Sequence, residues 1–315
     1  MSWKKFTYWT VVFLLPVVIA VITIEILTRK IPSSATVGAT ILKESKDEIN
    51  TLVLGASQNK RAINPEFLSQ KTLNVAGTKQ GYKADYYLVK DLQQQLPQLK
   101  RVILACTYRH FESPSNPKNF WKYRAFLHYY NVNAFERTTY FKDRLLFLSN
   151  PDFYAKQLKA HYINKTAYTY NKFGFQTDTI DSRFGKLNYN KIEIEKTYRP
   201  KYPPTSKVFL ESNSIWFHKL IQLCQAKNLE IVISLTPVYD SYKKQREPDA
   251  LMRRDSILNE LTHSYNNIKL FDMENNGEFE VNDYLNENHL NARGAEKFTR
   301  TLDTFLSKTK LYFYD

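Results

Sequence analysis

Nineteen consecutive residues, 6–24, carry no charge and are bracketed by Lys4-Lys5 and by Arg29-Lys30. Wound as a helix at 1.5 Å per residue they span about 28 Å, which is enough to cross the hydrocarbon of a bilayer. Tyr8 and Trp9 fall near one end, where amphipathic rings favour the headgroup layer, and Pro16 is tolerable inside a membrane helix. The equal basic flanks give no orientation. A cleavable leader fits less well, because the first small-x-small site, Ser33-Ser34-Ala35, lies beyond Glu25, Arg29 and Lys30. The expectation is an uncleaved anchor over 1–30, a Pro-, Ser- and Thr-rich linker over 31–49, and a domain over 50–315.

In that domain, short β-prone apolar runs at 51–55, 72–76, 101–106, 229–235 and 268–271 alternate with helical periodicity at 84–96, 205–227 and 249–265. Five strands separated by helices predict an α/β fold, a three-layer α/β/α sandwich around a five-stranded parallel sheet. The stretch 112–204 breaks the rhythm with Phe120-Trp121-Lys122-Tyr123-Arg124, Phe126, His128, Tyr129 and Tyr130. It reads as a helical, aromatic-rich insertion over the carboxyl edge of the sheet. Its rings either stack on sugars, with Lys and Arg pairing phosphate or carboxylate, or pack the insertion onto the domain. Cys106 and Cys224 lie in apolar segments, so buried thiols are expected rather than a disulfide. Neither a metal nor a cofactor is expected.

The chemistry concentrates at two places. Leu54-Gly55-Ala56-Ser57 puts a serine in a tight turn after the first strand, at the sheet edge where open α/β folds bind ligands. A serine hydroxyl is a poor nucleophile until a base within reach takes its proton, and His289 in a late polar loop is the candidate base.

Gly55-Ala56-Ser57 early and His289-Leu290-Asn291 with Gly294-Ala295 late resemble the SGNH (GDSL-type) hydrolase superfamily. The nearer likeness is to its membrane-anchored branch, which includes D-alanyl-transfer and polysaccharide O-acetylation proteins. Asn64-Pro65-Glu66 and Thr236-Pro237-Val238-Tyr239 add to it. The resemblance implies a flavodoxin-like sheet, Ser57 as nucleophile and His289 as base. The family's acid stands three residues before the histidine, and here that position is Asn286; Asp283 and Glu287 are the nearby carboxylates. Oxyanion donors are expected at Gly77 and Lys79, the latter where relatives carry glycine. Thr107 or Tyr108 is expected to serve where many relatives carry asparagine, and Arg109 and His110 are candidates to line the site.

The function so implied is that of a serine-dependent acyl esterase or O-acyltransferase acting on a cell-envelope polysaccharide or acylated glycan. It would lie outside the cytoplasmic membrane, beside a multi-pass acyl-transfer membrane protein. Asn286 leaves open a catalytically weak relative that binds or presents a glycan, and a tethered scaffold using only the insertion is a third reading. The net charge of +14 favours anionic partners. At that location these are lipid headgroups or envelope polymer rather than nucleic acid.

Overall fold

A computed structural model describes residues 2–114, 120–199 and 205–308. The apolar run forms helix α1 (Trp3–Arg29), exposed along most of its length and long and apolar enough to span a membrane as a single-pass anchor. Its last turns are different. The buried Glu25 carboxylate accepts the backbone N–H groups of Leu146 (2.8 Å) and Phe147 (3.0 Å) and the Arg29 Nε–H (2.8 Å). Arg29 also donates to the Arg144 carbonyl, and the Tyr162 hydroxyl donates to the Leu27 carbonyl. The anchor is therefore bolted to the domain through a satisfied buried carboxylate.

The segment expected to be a linker is folded instead. Ser33 and Thr36 form a reciprocal capping box that starts α2 (Ser34–Ser45), and Gly38 leaves room for the Tyr130 ring to lie against the helix. Leu42 then joins the main core. Serine and threonine here serve as caps rather than as solvated tether.

From there the order is β1 (Thr51–Val53), α3 (Ser57–Ala62), β2 (Thr72–Asn74), α4 (Tyr82–Leu92) and β3 (Arg101–Ala105). Next come α5 (Lys122–Tyr130), α6 (Pro151–Leu158), α7 (Arg183–Lys186), α8 (Lys191–Thr197) and α9 (Leu210–Ala226). The chain closes with β4 (Glu230–Leu235), α10 (Asp240–Lys243), α11 (Pro248–Ser264), β5 (Ile268–Asp272), β6 (Tyr284–Asn286), β7 (His289–Leu290) and α12 (Ala292–Lys308). Strands β1 to β5 make one parallel sheet in the order β2-β1-β3-β4-β5.

The period-2 alternation of the strands sorts their side chains into two cores. Leu52, Leu54, Val102, Leu104, Ile231 and Ile233 face one side and pack with Leu88 of α4, Phe217 of α9 and Leu258 of α11. Val53, Ile103 and Val232 face the other and meet Phe298 and Leu302 of α12. Helices thus cover both faces, giving the three-layer α/β/α sandwich. Among the described residues of 112–204, none joins the sheet; α5 packs on α2 and α4, and α6 lies against α1. Cys106 and Cys224 are buried and form no disulfide.

Candidate active site

β1 delivers the serine. After Leu54 the chain turns at Gly55, whose φ of +98° is in the region reserved for glycine, and an added Cβ would sit 2.5 Å from the Ala105 Cβ. Ser57 is the first residue of α3, directly above the carboxyl end of β1.

The turn is fastened from beneath. Asp85, fully buried, accepts the Gly55 N–H (3.1 Å) and the Gln80 Nε2–H (2.7 Å), and the Asn59 side chain donates to the Leu54 carbonyl (3.0 Å). Burial pushes the Asp85 carboxyl up to about 7, although both hydrogen bonds favour its charged form. Asp85 shares a helix face with Leu88, Val89 and Leu92, an acid on an apolar stripe. That sequence signal marks a buried role.

The histidine comes from a hairpin that polar sequence concealed. β6 and β7 pair antiparallel, with Asn286 opposite His289. The rest of the late motif is structural: Leu290 is buried, the Asn291 side chain accepts the Gly294 N–H (3.0 Å) at the start of α12, and a Cβ on Gly294 would meet the Asp283 carbonyl at 2.2 Å. Only glycine lets α12 pass this close to the hairpin.

The two halves meet. His289 Nε2 lies 2.8 Å from Ser57 Oγ, and His289 Nδ1 lies 2.9 Å from Asn286 Oδ1. The same Asn286 oxygen accepts the backbone N–H of Asn288 (3.2 Å), an Asx turn that faces the carbonyl oxygen, not the NH₂, toward the ring. His289 therefore donates from Nδ1–H and leaves Nε2 to accept the serine proton, the tautomer a general base needs. Neither alternative acid reaches it. Asp283 pairs with Arg293 at 3.0 Å, and Glu287 pairs with Arg183.

The expected oxyanion donors fare unevenly. The Gly77 N–H is spent on the Gly55 carbonyl (2.9 Å), because the parallel pairing runs on past Asn74, through Val75 on Val53, as far as Gly77. Lys79 lines the same cavity as Ser57, at φ +58°. A lysine in that conformation costs about 1 kcal/mol relative to glycine. The Ser57 and Thr78 N–H groups have no hydrogen bond among the described residues, and both residues line the cavity.

The segment after β3, where many relatives carry asparagine, is displaced from the site. Thr107, Arg109 and His110 do not line the cavity. The Thr107 N–H donates to His110 Nδ1 (3.1 Å), closing a turn beneath which the imidazole packs on Tyr82. Burial pushes His110 down to about 4, holding it neutral. Arg109 turns to the Tyr108 hydroxyl and toward Glu247. With no asparagine in this block, the chain uses it to close the core.

The cavity measures about 660 Å³. It runs from Ser57, Asn286 and His289 past Phe120, Trp121, Tyr154 and Tyr170 to Thr28, Ile31 and Pro32 at the foot of the anchor. Lys60, Arg61, Lys79 and Lys122 line it, against one carboxylate among the described residues, Asp181. Lys122 belongs to the basic, aromatic stretch expected to pair phosphate or carboxylate, whereas Lys60 was not singled out. The spacing Ser57-x-x-Lys60 was the available signal, since residues three apart share a helix face.

The fold and site together define a three-layer α/β protein with a Ser–His pair at the carboxyl edge of its parallel sheet. No family model matches the chain, and no curated protein matches it. Among solved structures it is similar to a Streptococcus pneumonia protein provisionally described as a platelet activating factor. That match has 12% identity and a TM-score of 0.41, over 89% of this chain and 91% of the other.

Proposed function

We propose that the protein is a membrane-anchored serine esterase or O-acyltransferase of SGNH type. The observation that carries this is the Ser57 Oγ–His289 Nε2 contact of 2.8 Å, with Nδ1 held on the Asn286 oxygen. In this reading Ser57 attacks an ester carbonyl as Nε2 takes its proton, giving an acyl-serine. The imidazolium then protonates the leaving alcohol, and water or a second hydroxyl releases the acyl group by the reverse steps. Backbone N–H groups of Ser57 and Thr78 are the donors for the oxyanion.

The acceptor is a cell-envelope polysaccharide or related polymer, met outside the cytoplasmic membrane, with a multi-pass acyl-transfer protein as the membrane partner. The aromatic cavity walls and the anchor at its far end favour that substrate size and location. Asn286 favours a second reading, a slow or inactive relative that holds a glycan. Labelling by a fluorophosphonate probe decides between them. Wild type labels while Ser57→Ala and His289→Ala do not if the esterase reading holds, and an unlabelled wild type refutes it.

A further inference from the structure

The cavity's charge is unbalanced, and the Ser–His pair makes no use of it. The Lys60 ammonium makes no hydrogen bond or ion pair among the described residues, though it feels the Asp181 carboxylate as well as Arg61. Lys122 donates to the Thr78 carbonyl (2.6 Å) and stands over the Trp121 ring. The one acid lining the space among the described residues, Asp181, lies 3.7 Å from Arg61 with its side chain half exposed. All three lysines line the cavity that holds Ser57, and the Lys122 contact with Thr78 sets its ammonium beside the residue preceding Lys79; Lys122 accordingly feels the positive charges of both Lys60 and Lys79. Burial first, and then that mutual repulsion, lowers Lys122 to about 7; burial, with Arg61 adding, lowers Lys60 to about 8.

Cations gathered against aromatic walls repel one another unless an anion joins them. These three arrive from separate segments: α3, the turn after β2 and the start of α5. A planar carboxylate is matched by one guanidinium fork, whereas separate point-charge donors converging from different directions suit a tetrahedral group with several charged oxygens. We propose that Lys60, Lys79 and Lys122 form a phosphate site beside Ser57, so that the ester Ser57 attacks belongs to a phosphate-bearing molecule. The second half rests on the esterase reading; the first does not. Lys60 follows Ser57 by three residues on α3, so the two side chains leave the same face of that helix and enter the same cavity.

The test uses the full chain in phosphatidylcholine nanodiscs, titrated with inorganic phosphate at constant ionic strength. Two readouts run in parallel: the thermal midpoint, which needs no catalysis, and the rate at which a neutral fluorophosphonate labels Ser57. Phosphate should raise the midpoint and slow labelling with one saturable dependence. Lys60→Met and Lys122→Met should each weaken that dependence about tenfold. Lys60→Arg should restore it, and Lys207→Met, on an exposed remote lysine, should leave it unchanged. A midpoint indifferent to phosphate, an equal response in the lysine variants, or acetate acting as well as phosphate overturns the proposal. A lysine-dependent midpoint shift without labelling means that the phosphate site stands and the esterase reading falls. Discs of phosphatidylglycerol separate the sources. Loss of the response to added phosphate there identifies a lipid headgroup as the occupant, and a persisting response identifies a soluble or polymer-borne phosphate.

Discussion

Replacing Asn286 by Asp changes the charge beside His289 and little else. The new carboxylate keeps an oxygen for the Asn288 N–H and another contact for His289 Nδ1, so the Asx turn and the hairpin persist. In serine proteases the reverse change, Asp to Asn, lowers kcat about 10⁴-fold, largely because the amide stabilises the wrong tautomer. Here the backbone already holds the amide oxygen toward the ring, so the tautomer is not what the substitution repairs. What it adds is the difference between a neutral and a charge-assisted hydrogen bond to the imidazolium that forms as Ser57 loses its proton. That difference is about 1–2 kcal/mol at a half-exposed site, which converts to a gain of about 5- to 30-fold in rate. The assay is the second-order rate of fluorophosphonate labelling at Ser57, followed by intact mass at pH 7.5, with thermal midpoints as a folding control. An unchanged rate in a folded variant would refute the general-base role of His289. A gain near 10⁴-fold would show instead that the Asn286 amide presents its NH₂ to the ring in solution.

Gly55→Ala forces a Cβ to within 2.5 Å of the Ala105 Cβ at a φ of +98°, and should cost about 3 kcal/mol, read as a lower thermal midpoint together with slower labelling of Ser57. Asp85 and His110 act oppositely on stability. The Asp85 carboxyl, raised to about 7 from 3.8, contributes stability fully present below pH 4 and lost as pH rises to about 7. His110, lowered to about 4 from 6.5, contributes stability present above pH 6.5 and lost as pH falls to about 4. Asp85→Asn should therefore leave the His110 slope unopposed, steepening the rise of unfolding free energy with pH between 4 and 7 by about 1.4 kcal/mol per pH unit; parallel urea-melt profiles for the two proteins would contradict this. Burial pushes Cys106 up to about 11 and Cys224 up to about 12, so iodoacetamide at pH 8 should leave the native protein unmodified by mass and add two groups once it is unfolded.

The sheet was legible because its five strands are short apolar runs bounded by turn residues, and the three inner strands β1, β3 and β4 are buried throughout. The Ser57–His289 pairing was legible through resemblance alone, since 232 residues separate the two in sequence. Backbone accounting was not legible. Whether the Gly77 N–H is available depends on how far the pairing of β1 and β2 runs past Asn74, which no local pattern encodes. The same holds for Thr107, whose amide is claimed by a histidine three residues on. The β6–β7 hairpin escaped because Asn286-Glu287-Asn288 lacks any apolar alternation, and α2 because Ser33 and Thr36 read equally as linker or as cap. The lysine cluster joins Lys60 to Lys122 across the sequence, and only the folded insertion brings them together.

The Glu25 clamp turns the anchor from a leash into an axle. A domain on a flexible tether samples a hemisphere of heights and tilts, whereas here α1 runs without a break into hydrogen bonds at Leu146 and Phe147. If α1 spans a bilayer, the domain and the cavity, which Thr28, Ile31 and Pro32 line near the foot of the helix, would drift, spin and tilt with that helix as one body. One residue inserted into α1 between the membrane and Glu25 would lift the domain by about 1.5 Å and swing its cavity through about 100°. The phase of such a helix, as much as its length, would then set the direction in which Ser57 faces.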